Sequence, residues 1–253
     1  MRTFDPRQIL GIIGGSGVAA GAEIVSRLER RLSLEGAFRD HHHPQVILFQ
    51  ATQAPSRSLF LEGRGESFLP AYTAVGKALA GAGATLLCMT CNTAHWHRRE
   101  LEQAIGLPWV DALDETCRVL AERHPRVRRV GVLCSEGSRA VRLFETYFQR
   151  NLSIMPLFPS AEGQKAVTEA ICSVKKGQHH LPDSAEAHPS RHLVPVIQEL
   201  LQQQVEAIVL GCCEISLALT PPMISRWGIP IVDTMDALVD ACLERMALPS
   251  GGA

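Results

Sequence analysis

Aromatic residues and lysine are scarce in this chain. Phe, Trp and Tyr together make up 5% of its 253 residues. Lysine occurs at four positions, Lys77, Lys165, Lys175 and Lys176. None of the four has a sequence setting typical of the lysine that forms a Schiff base with pyridoxal phosphate. We therefore expect no pyridoxal cofactor.

Net charge and long apolar runs are also lacking. The formal net charge is −1, which argues against a nucleic-acid surface or a basic membrane patch. No signal peptide is recognisable, and no apolar run approaches the roughly 18 residues that span a bilayer. We expect a cytoplasmic protein that binds a small molecule. In such a reducing compartment its eight cysteines are thiols, metal ligands or catalysts before they are disulfides.

The glycine-rich segment near the N-terminus lacks the spacing of a dinucleotide site. Gly14-Gly15-Ser16-Gly17 does not fit Gly-x-Gly-x-x-Gly, and no acidic strand end follows about 20 residues later. Its counterpart at residues 135–138 has a single glycine. Both loops instead suit backbone N–H groups and hydroxyls, such as that of Ser16, directed at a small carboxylate.

The chain repeats itself. Residues 10–17 match 130–137, residues 86–91 match 207–212, and residues 107–111 match 229–233, at offsets of 120, 121 and 122. Each of these landmarks is a short apolar run, rich in β-branched residues, that is typical of a buried strand. Apolar residues at helical spacing occupy the intervening segments 19–32, 69–79, 94–104, 113–120, 141–148 and 193–201.

This alternation predicts an α/β fold of two pseudo-symmetric, doubly wound parallel-sheet domains with the active site in the cleft between them. We place the N-terminal half at residues 1–111 and the C-terminal half at 112–233. A C-terminal helix over 234–247 is expected to pack back on the first half, and residues 248–253 are expected to form a disordered tail.

Two cysteines occupy equivalent positions in the repeat. Cys91 and Cys212 each follow an apolar strand, where the next helix is expected to begin. If the halves face one another, both thiols reach one cleft from opposite sides. For Cys91, a helix N-terminus is expected to lower the thiol pKa, and Asn92 and Thr93 offer donors for a carboxylate or for developing negative charge.

Two other functions compete for the first cysteine segment. Cys88, Cys91, His95 and His97 are residue types that bind zinc, and Cys-x-x-Cys also occurs in redox proteins. However, Cys88 falls within the apolar strand, and no second Cys-x-x-Cys follows. We therefore predict no metal site. The other cysteines expected to serve only packing are Cys88, Cys117, Cys134, Cys172 and Cys242.

The second cysteine segment, Leu210-Gly211-Cys212-Cys213-Glu214, also has features of a ligand site. Gly211 allows a ligand to approach the backbone closely. Glu214 falls in the first turn of the predicted helix, where its carboxylate either stabilises the helix N-terminus or binds a substrate ammonium group.

Five motifs together resemble the aspartate/glutamate racemase family. They are Gly14-Gly15-x-Gly17, Gln53-x-Pro55-x-Arg57, Cys91-Asn92-Thr93-Ala94-His95, Val174-Lys175-x-Gly177 and Leu210-Gly211-Cys212-x-Glu214-Ile215. The likeness runs in order over nearly the whole chain. It implies a two-domain α/β racemase that uses one cysteine from each domain and neither pyridoxal phosphate nor a metal.

The resemblance also implies roles for single residues. Cys91 and Cys212 match the acid/base pair, and by analogy with the glutamate enzymes Cys91 acts on the D isomer and Cys212 on the L isomer. The substrate-binding set that we predict is Ser16, Gln53, Arg57, Asn92, Thr93, Ser138, Lys175, Cys213 and Glu214. Within it, Arg57 and Lys175 match positions that hold the side-chain carboxylate, whereas Asn92, Thr93 and Ser138 match positions for the α-carboxylate or amino group.

Three positions depart from the family pattern. Ser16 replaces a frequent methionine, Thr90 a usual proline and Cys213 a usual threonine. We expect racemisation of aspartate or glutamate by a homodimer. The alternatives are a cysteine-dependent isomerase or decarboxylase, of the maleate isomerase or arylmalonate decarboxylase type, and a broad-specificity amino-acid racemase. A sensor without catalysis has no use for paired cysteines at equivalent strand ends.

Overall fold

The computed structural model describes residues 2–248. Of the predicted disordered tail, residues 249–253 lie outside the described residues. The strands are β1 (Ile9–Gly14), β2 (Gln45–Gln50), β3 (Leu86–Met89), β4 (Arg129–Leu133), β5 (Met155–Leu157), β6 (Ala207–Leu210) and β7 (Ile231–Asp233). The helices are α1 (Val18–Leu34), α2 (Arg57–Leu61), α3 (Leu69–Gly81), α4 (Arg98–Ile105), α5 (Ala112–Arg123), α6 (Glu136–Ala140), α7 (Leu143–Asn151), α8 (Ala161–Lys175), α9 (Ser190–Gln202), α10 (Cys213–Ala218), α11 (Pro221–Ser225) and α12 (Thr234–Met246). No helix within residues 2–248 is long and apolar enough to cross a membrane.

The strands form two parallel sheets with matching topology. The first has the order β2-β1-β3 and the second β5-β4-β6-β7. A parallel bridge between Leu87 and Trp109 continues the first sheet, as the pairing of Ile208 with Ile231 continues the second. The repeat in the sequence is therefore a repeat of the fold, and the predicted fold class is confirmed.

Strand residues alternate between two apolar layers in the first sheet. Leu10 and Ile12 face α1 and α12 in one core cluster. The next residue, Ile13, faces α3 on the opposite side, where it packs with Tyr72 and Leu79. Because successive side chains of a strand point to opposite faces, a strand that is apolar throughout requires helices on both sides of the sheet.

The second sheet is built in the same way. Val130 and Val132 pack with the residues of α5 and α7 in one cluster. Ile208 and Leu210 pack against α8 and α9 in another. Both halves are thus three-layered, and the carboxyl ends of their strands are free to carry ligand-binding loops.

The C-terminal helix α12 joins the core of the first half. Met235, Leu238 and Leu243 are buried in the same cluster as Leu10, and the N–H of Leu248 donates to the carbonyl of Thr3 at 2.8 Å. The domain boundaries at residues 111 and 233 stay predictions.

Two predicted helices differ from the observed ones. The segment 94–104 is split into a 3₁₀ helix (Thr93–His97) and α4, because the buried His95 ring is bonded to the backbone on both of its nitrogens. The segment 141–148 becomes helical only at Leu143, since Arg142 has φ of 53°. The edge strands β2 and β5 had no counterpart among the predicted strands. β5 is three residues long, and the apolar run of β2, residues 46–49, lies outside the three landmarks that repeat in the sequence.

Candidate active site

A cavity of about 80 Å³ lies between the two sheets, beyond the carboxyl ends of their strands. Its walls come from the loops that follow β1, β3, β4 and β6, together with residues of α1, α2 and α8. We call it the inner cavity. Its lining residues are Ser16, Gly17, Ala20, Ser56, Arg57, Ser58, Thr90, Cys91, Asn92, Thr93, Ser135, Ile171, Lys175, Cys212, Cys213 and Glu214.

Both candidate catalytic cysteines line the inner cavity. Cys91 follows β3 and Cys212 follows β6, and each side chain is buried. The prediction that a helix N-terminus activates Cys91 is wrong, because the element after it is a five-residue 3₁₀ helix, too short for a substantial helix dipole. The positive group beside the Cys91 thiol is the Arg57 guanidinium.

Arg57 is held firmly at the inner cavity. Its Nη1 donates to the carbonyls of Ala54 (3.4 Å) and Pro55 (3.0 Å), and its Nη2 donates to that of Ser16 (3.2 Å). Burial lowers the pKa of Arg57, but the neighbouring Cys91 raises it, and the net shift is upward. Nε has no acceptor among the described residues. Because a guanidinium has five donors, Arg57 keeps donors for a carboxylate in the cavity.

The loop that carries Cys91 is fixed by a buried histidine. The Nδ1 of His95 lies 2.9 Å from the carbonyl of Cys91, and the N–H of Ala112 donates to Nε2 at 3.2 Å. These partners assign a neutral ring with its proton on Nδ1. Burial also lowers the pKa of His95. His95 is therefore a neutral positioning residue for the Cys91 backbone.

Cys212 lies in the opposite electrostatic environment. Its thiol donates to Glu214 Oε2 at 2.9 Å. Burial and the adjacent Glu214 carboxylate raise the pKa of Cys212 well above its usual value. Glu214 is buried, and its other oxygen is 3.7 Å from Lys175 Nζ, whose side chain is 51% exposed. The two cysteines are thus distinguished by charge: Arg57 stands beside one and Glu214 beside the other.

Side chains tie the two cysteine loops together. Asn92 Nδ2 donates to Thr234 Oγ1 at 2.6 Å, and Thr234 Oγ1 donates to the carbonyl of Leu210, the last residue of β6, at 2.9 Å. From the other loop, the Cys213 thiol donates to the carbonyl of Thr90, the residue before Cys91. These bonds hold the halves in register across the cavity.

Three hydroxyls form a further link between the halves. Thr93 Oγ1 is 2.8 Å from Ser135 Oγ and 3.1 Å from Ser138 Oγ, and the two serine oxygens are 3.1 Å apart. Gly137 between them packs on α2, since a Cβ there would stand 2.5 Å from Ser58 Cα. The β4 loop therefore approaches the first half closely enough to close one wall of the inner cavity.

Most of the predicted site residues meet in the inner cavity. Those lining it are Ser16, Arg57, Cys91, Asn92, Thr93, Lys175, Cys212, Cys213 and Glu214. Ser138 is buried behind the wall and reaches the cavity only through Thr93 and Ser135. Gln53 is exposed and lies outside the lining, because it precedes the turn that directs Arg57 inward.

Other residues of the site were not predicted from the sequence. Ser56, Ser58 and Ile171 line the inner cavity. Tyr72, behind it, shares a 2.6 Å hydrogen bond with Ser16. The serines flank Arg57, so the motif that contains Arg57 offered a hint, whereas Ile171 and Tyr72 belong to ordinary amphipathic helices.

The remaining cysteines behave mostly as expected. Burial raises the pKa of both Cys117 and Cys134 to about 12, and Cys88 and Cys242 are buried together in the first core. Cys172 is the exception: it is exposed, on the solvent side of α8, so its assignment to packing is wrong. Within residues 2–248, no three His, Cys, Asp or Glu side chains are grouped to hold a metal ion.

A wider space of about 540 Å³, the outer chamber, adjoins the inner cavity. The two share Ser16, Gly17, Ala20, Ser56, Arg57, Lys175 and Glu214. The outer chamber is lined further by Gly15, Val18, Ala19, Thr52, Ala54, Val174, Gly177, His179 and His180. All three charged residues of the inner cavity thus stand at the junction between the two spaces.

We expect Gly17→Ala to impair activity more than stability. A Cβ at this position would overlap Glu214 Oε1, so the carboxylate must turn away from Cys212. Alanine is also a poorer N-cap for α1 than glycine, which costs about 1 kcal/mol or less. Losing the bond between Glu214 and the Cys212 thiol should lower kcat/KM roughly tenfold. Steady-state kinetics and thermal unfolding measure the two effects.

The matched control is Gly81→Ala at the end of α3, where a new Cβ meets nothing within 4 Å. It should leave kcat/KM unchanged. Equal kinetics for Gly17→Ala and the native protein would contradict the importance of the Glu214 position.

Replacing Glu214 with glutamine should make Cys212 more reactive. Burial and the Glu214 carboxylate together raise the pKa of Cys212, so Cys212 stays protonated to a higher pH than an ordinary cysteine. Glu214→Gln removes the negative charge, and the thiolate then forms at lower pH. Each unit by which the pKa falls raises the thiolate fraction about tenfold below the pKa. The rate of iodoacetamide labelling of Cys212 at pH 8, followed by peptide mass spectrometry, measures this change.

Glu162→Gln on the exposed surface of α8 is the control and should not alter the labelling rate. Slower labelling of Cys212 in Glu214→Gln would mean that the carboxylate acts chiefly as a proton acceptor for the thiol.

Comparison with known proteins adds a family match. The model of the Asp/Glu/Hydantoin racemase family matches residues 13–242. The broad-specificity amino-acid racemase RacX of Bacillus subtilis (strain 168) is 21% identical over 94% of this chain and 95% of its own. Among solved structures, Picrophilus torridus aspartate racemase aligns with a TM-score of 0.78 and 24% identity over 94% of both chains. An aspartate racemase homologue from Pyrococcus horikoshii OT3 aligns with a TM-score of 0.69 and 20% identity over 94% of this chain and 99% of its own.

Proposed function

Because the chain belongs to the Asp/Glu/hydantoin racemase family, we propose that it racemises aspartate or glutamate with Cys91 and Cys212 as the acid/base pair. No pyridoxal phosphate or metal takes part in the proposed reaction. The observation that carries the proposal is that one cysteine from each sheet lines a single cavity. Racemisation by two bases requires this arrangement, since each face of the α-carbon needs its own proton donor and acceptor.

The charges of the cavity suit an acidic amino acid. Arg57 and Lys175 carry positive charge, and Glu214 carries negative charge. An amino acid with two carboxylates and one ammonium group is the complement of this set. We assign a carboxylate to the fixed donors of Arg57 and the ammonium group to Glu214, whose carboxylate is buried and needs a cation nearby.

The unequal surroundings of the two cysteines support different roles in the reaction. Arg57 lies beside the Cys91 thiol, and we assign to Cys91 the removal of the α-proton. Cys212, whose pKa is raised by burial and by Glu214, is the thiol that donates a proton to the opposite face. The forward step leaves Cys91 protonated and Cys212 deprotonated, so in the reverse direction Cys212 removes the α-proton and Cys91 donates one.

Catalysis also requires stabilisation of the carbanion-like transition state. The hydroxyls of Ser16, Thr93 and Ser135 and the guanidinium of Arg57 line the cavity. Donors that are fixed before the reaction stabilise developing negative charge without reorganisation. The hydrogen bonds of Thr93 with Ser135, and of Ser16 with Tyr72, hold these groups in place.

Chiral chromatography tests the proposal directly. Purified protein incubated with L-aspartate or L-glutamate in a chelator and without pyridoxal phosphate should form the D isomer, and the α-proton should exchange with deuterated water. Absence of both reactions with both amino acids would refute it. Conversion of a substituted malonate with release of carbon dioxide would favour the decarboxylase alternative, which needs only one cysteine.

A broad-specificity racemase is the second candidate. Its support is the name of the relative from Bacillus subtilis, which aligns over nearly the whole chain. A panel that includes L-alanine and L-arginine separates the candidates, since Arg57 and Lys175 should disfavour a cationic side chain. The homodimer expected from the sequence stays a prediction.

A further inference from the structure

The inner cavity is too small to define the whole substrate site. Its volume of about 80 Å³ has room for about six water molecules, at the 10–15 Å³ that each requires on this measure. Aspartate has more than six non-hydrogen atoms, so it needs more space than the inner cavity provides. A substrate whose α-carbon lies between Cys91 and Cys212 therefore fills the inner cavity with its reacting end, and any longer side chain must leave through the junction at Arg57, Lys175 and Glu214.

Beyond that junction the outer chamber offers about 540 Å³, several times the volume of the inner cavity. Its outer wall is apolar at Val18, Ala19 and Val174, and carries the imidazoles of His179 and His180. The planes of the two rings are tilted by 40°, and their centroids are 3.9 Å apart. Apolar surface along the path and hydrogen-bonding groups at its end are suited to a methylene chain with a polar terminus.

The charges of the outer chamber favour an anionic terminus. Within residues 2–248, the single carboxylate in its wall is Glu214, which the proposed function assigns to the ammonium group of the substrate. Arg57 and Lys175 contribute two positive charges. A cationic terminus would meet net positive charge here, whereas a carboxylate would be attracted.

The side chains of Lys175 and Arg57 differ in how freely they can move. Arg57 is fixed by three backbone carbonyls. The side chain of Lys175 is 51% exposed and lies 3.7 Å from Glu214 Oε1, a separation longer than a hydrogen bond. The Lys175 ammonium can thus follow a carboxylate from the junction into the outer chamber, while Arg57 holds the reacting end.

We infer that the substrate class extends to acidic amino acids with longer side chains than glutamate, whose distal carboxylate occupies the outer chamber and is bound there by Lys175. The inference rests on the proposed racemisation. It goes beyond that proposal because it assigns the outer chamber to the substrate side chain and predicts the side-chain length that the chamber accepts.

Val18 provides a test of the outer chamber. It is 58% exposed in the chamber wall, so Val18→Trp narrows the outer chamber without disturbing the core. The matched control is Val25→Trp, on the same helix at 37% exposure and outside the lining of both spaces. Exchange of the α-proton in deuterated water, followed by NMR, gives kcat/KM for L-aspartate, L-glutamate and L-2-aminopimelate.

The native protein should exchange all three amino acids. Val18→Trp should lower the ratio of kcat/KM for 2-aminopimelate to that for aspartate at least tenfold, and Val25→Trp should leave the ratio within twofold. Exchange of aspartate or glutamate without exchange of 2-aminopimelate would overturn the inference and leave the proposed function standing. Equal ratios for the two tryptophan variants would also overturn it. Failure of all three substrates would refute the proposed function itself.

Discussion

Cys91→Ser and Cys212→Ser are each expected to abolish racemisation. Serine is nearly the size of cysteine, but its hydroxyl is far too weak an acid to form the anion that removes the α-proton. Loss of one acid/base group costs roughly a hundredfold to ten-thousandfold in rate. Both thiols are buried in the wall of one cavity, so solvent cannot easily replace either. Circular dichroism or chiral chromatography of the product measures the loss.

Each single variant should still remove the α-proton from one of the two enantiomers. The remaining thiolate still reaches one face of the α-carbon, so each variant should exchange the α-proton of one enantiomer with deuterated water. The enantiomer should differ between Cys91→Ser and Cys212→Ser. By the family analogy, Cys212→Ser retains exchange of the D isomer and Cys91→Ser that of the L isomer.

Cys172→Ser is the matched control, because Cys172 is exposed on α8 and lies outside the lining of the inner cavity. It should turn over at the native rate. Native racemisation by Cys212→Ser with an inactive Cys91→Ser would mean that a single cysteine suffices, and the decarboxylase alternative would then take precedence.

Arg57→Ala should have the second-largest effect. Arg57 is half-buried, is fixed by three carbonyls and neighbours the Cys91 thiol. Its loss removes both a charge-assisted contact to a carboxylate and the positive charge beside the base. Losses of this kind amount to about 2–4 kcal/mol, or roughly 30- to 1000-fold in kcat/KM. Arg57→Lys should not restore activity, because an ammonium group cannot reproduce the planar set of donors.

Lys175→Ala should have a smaller effect on aspartate than Arg57→Ala. An ammonium group that is half exposed is screened by water and contributes less, about tenfold in kcat/KM at most. Arg64→Ala is the control, since Arg64 is exposed and paired with Glu62. Steady-state kinetics with aspartate would contradict this ranking if Lys175→Ala were the more damaging change.

The sequence was sufficient for the fold because the fold is repeated in it. Leu10 pairs with Leu86 in the first sheet as Val130 pairs with Ala207 in the second, and the offsets between these residues are those of the sequence repeat. Buried parallel strands are apolar on both faces, so they stand out from the helices around them. The edge strand β5, with three residues, lacked that signal, whereas the apolar run of β2, residues 46–49, was missed because it does not belong to the repeated landmarks.

The sequence also predicted that two cysteines would line one cavity, since Cys91 and Cys212 follow equivalent strands. Parallel strands end at the same edge of a sheet, where ligands bind. Residues next to these strand ends, such as Asn92 and Glu214, were therefore predictable as neighbours of the cavity. Gln53, which belongs to the same motif as Arg57, lies outside because the local path of a loop is not determined by its sequence pattern.

Only the tertiary structure decided the difference between the two cysteines. In the sequence both are thiols after a strand, and a helix N-terminus was expected to activate Cys91. In the folded chain Arg57 reaches Cys91 from the first residue of α2, while Glu214, in the first turn of α10, accepts a hydrogen bond from the Cys212 thiol. Electrostatic effects depend on distance and burial rather than on sequence separation. The same is true of the outer chamber, where Val18 of the first half meets Lys175 and His180 of the second only when the two halves are packed together.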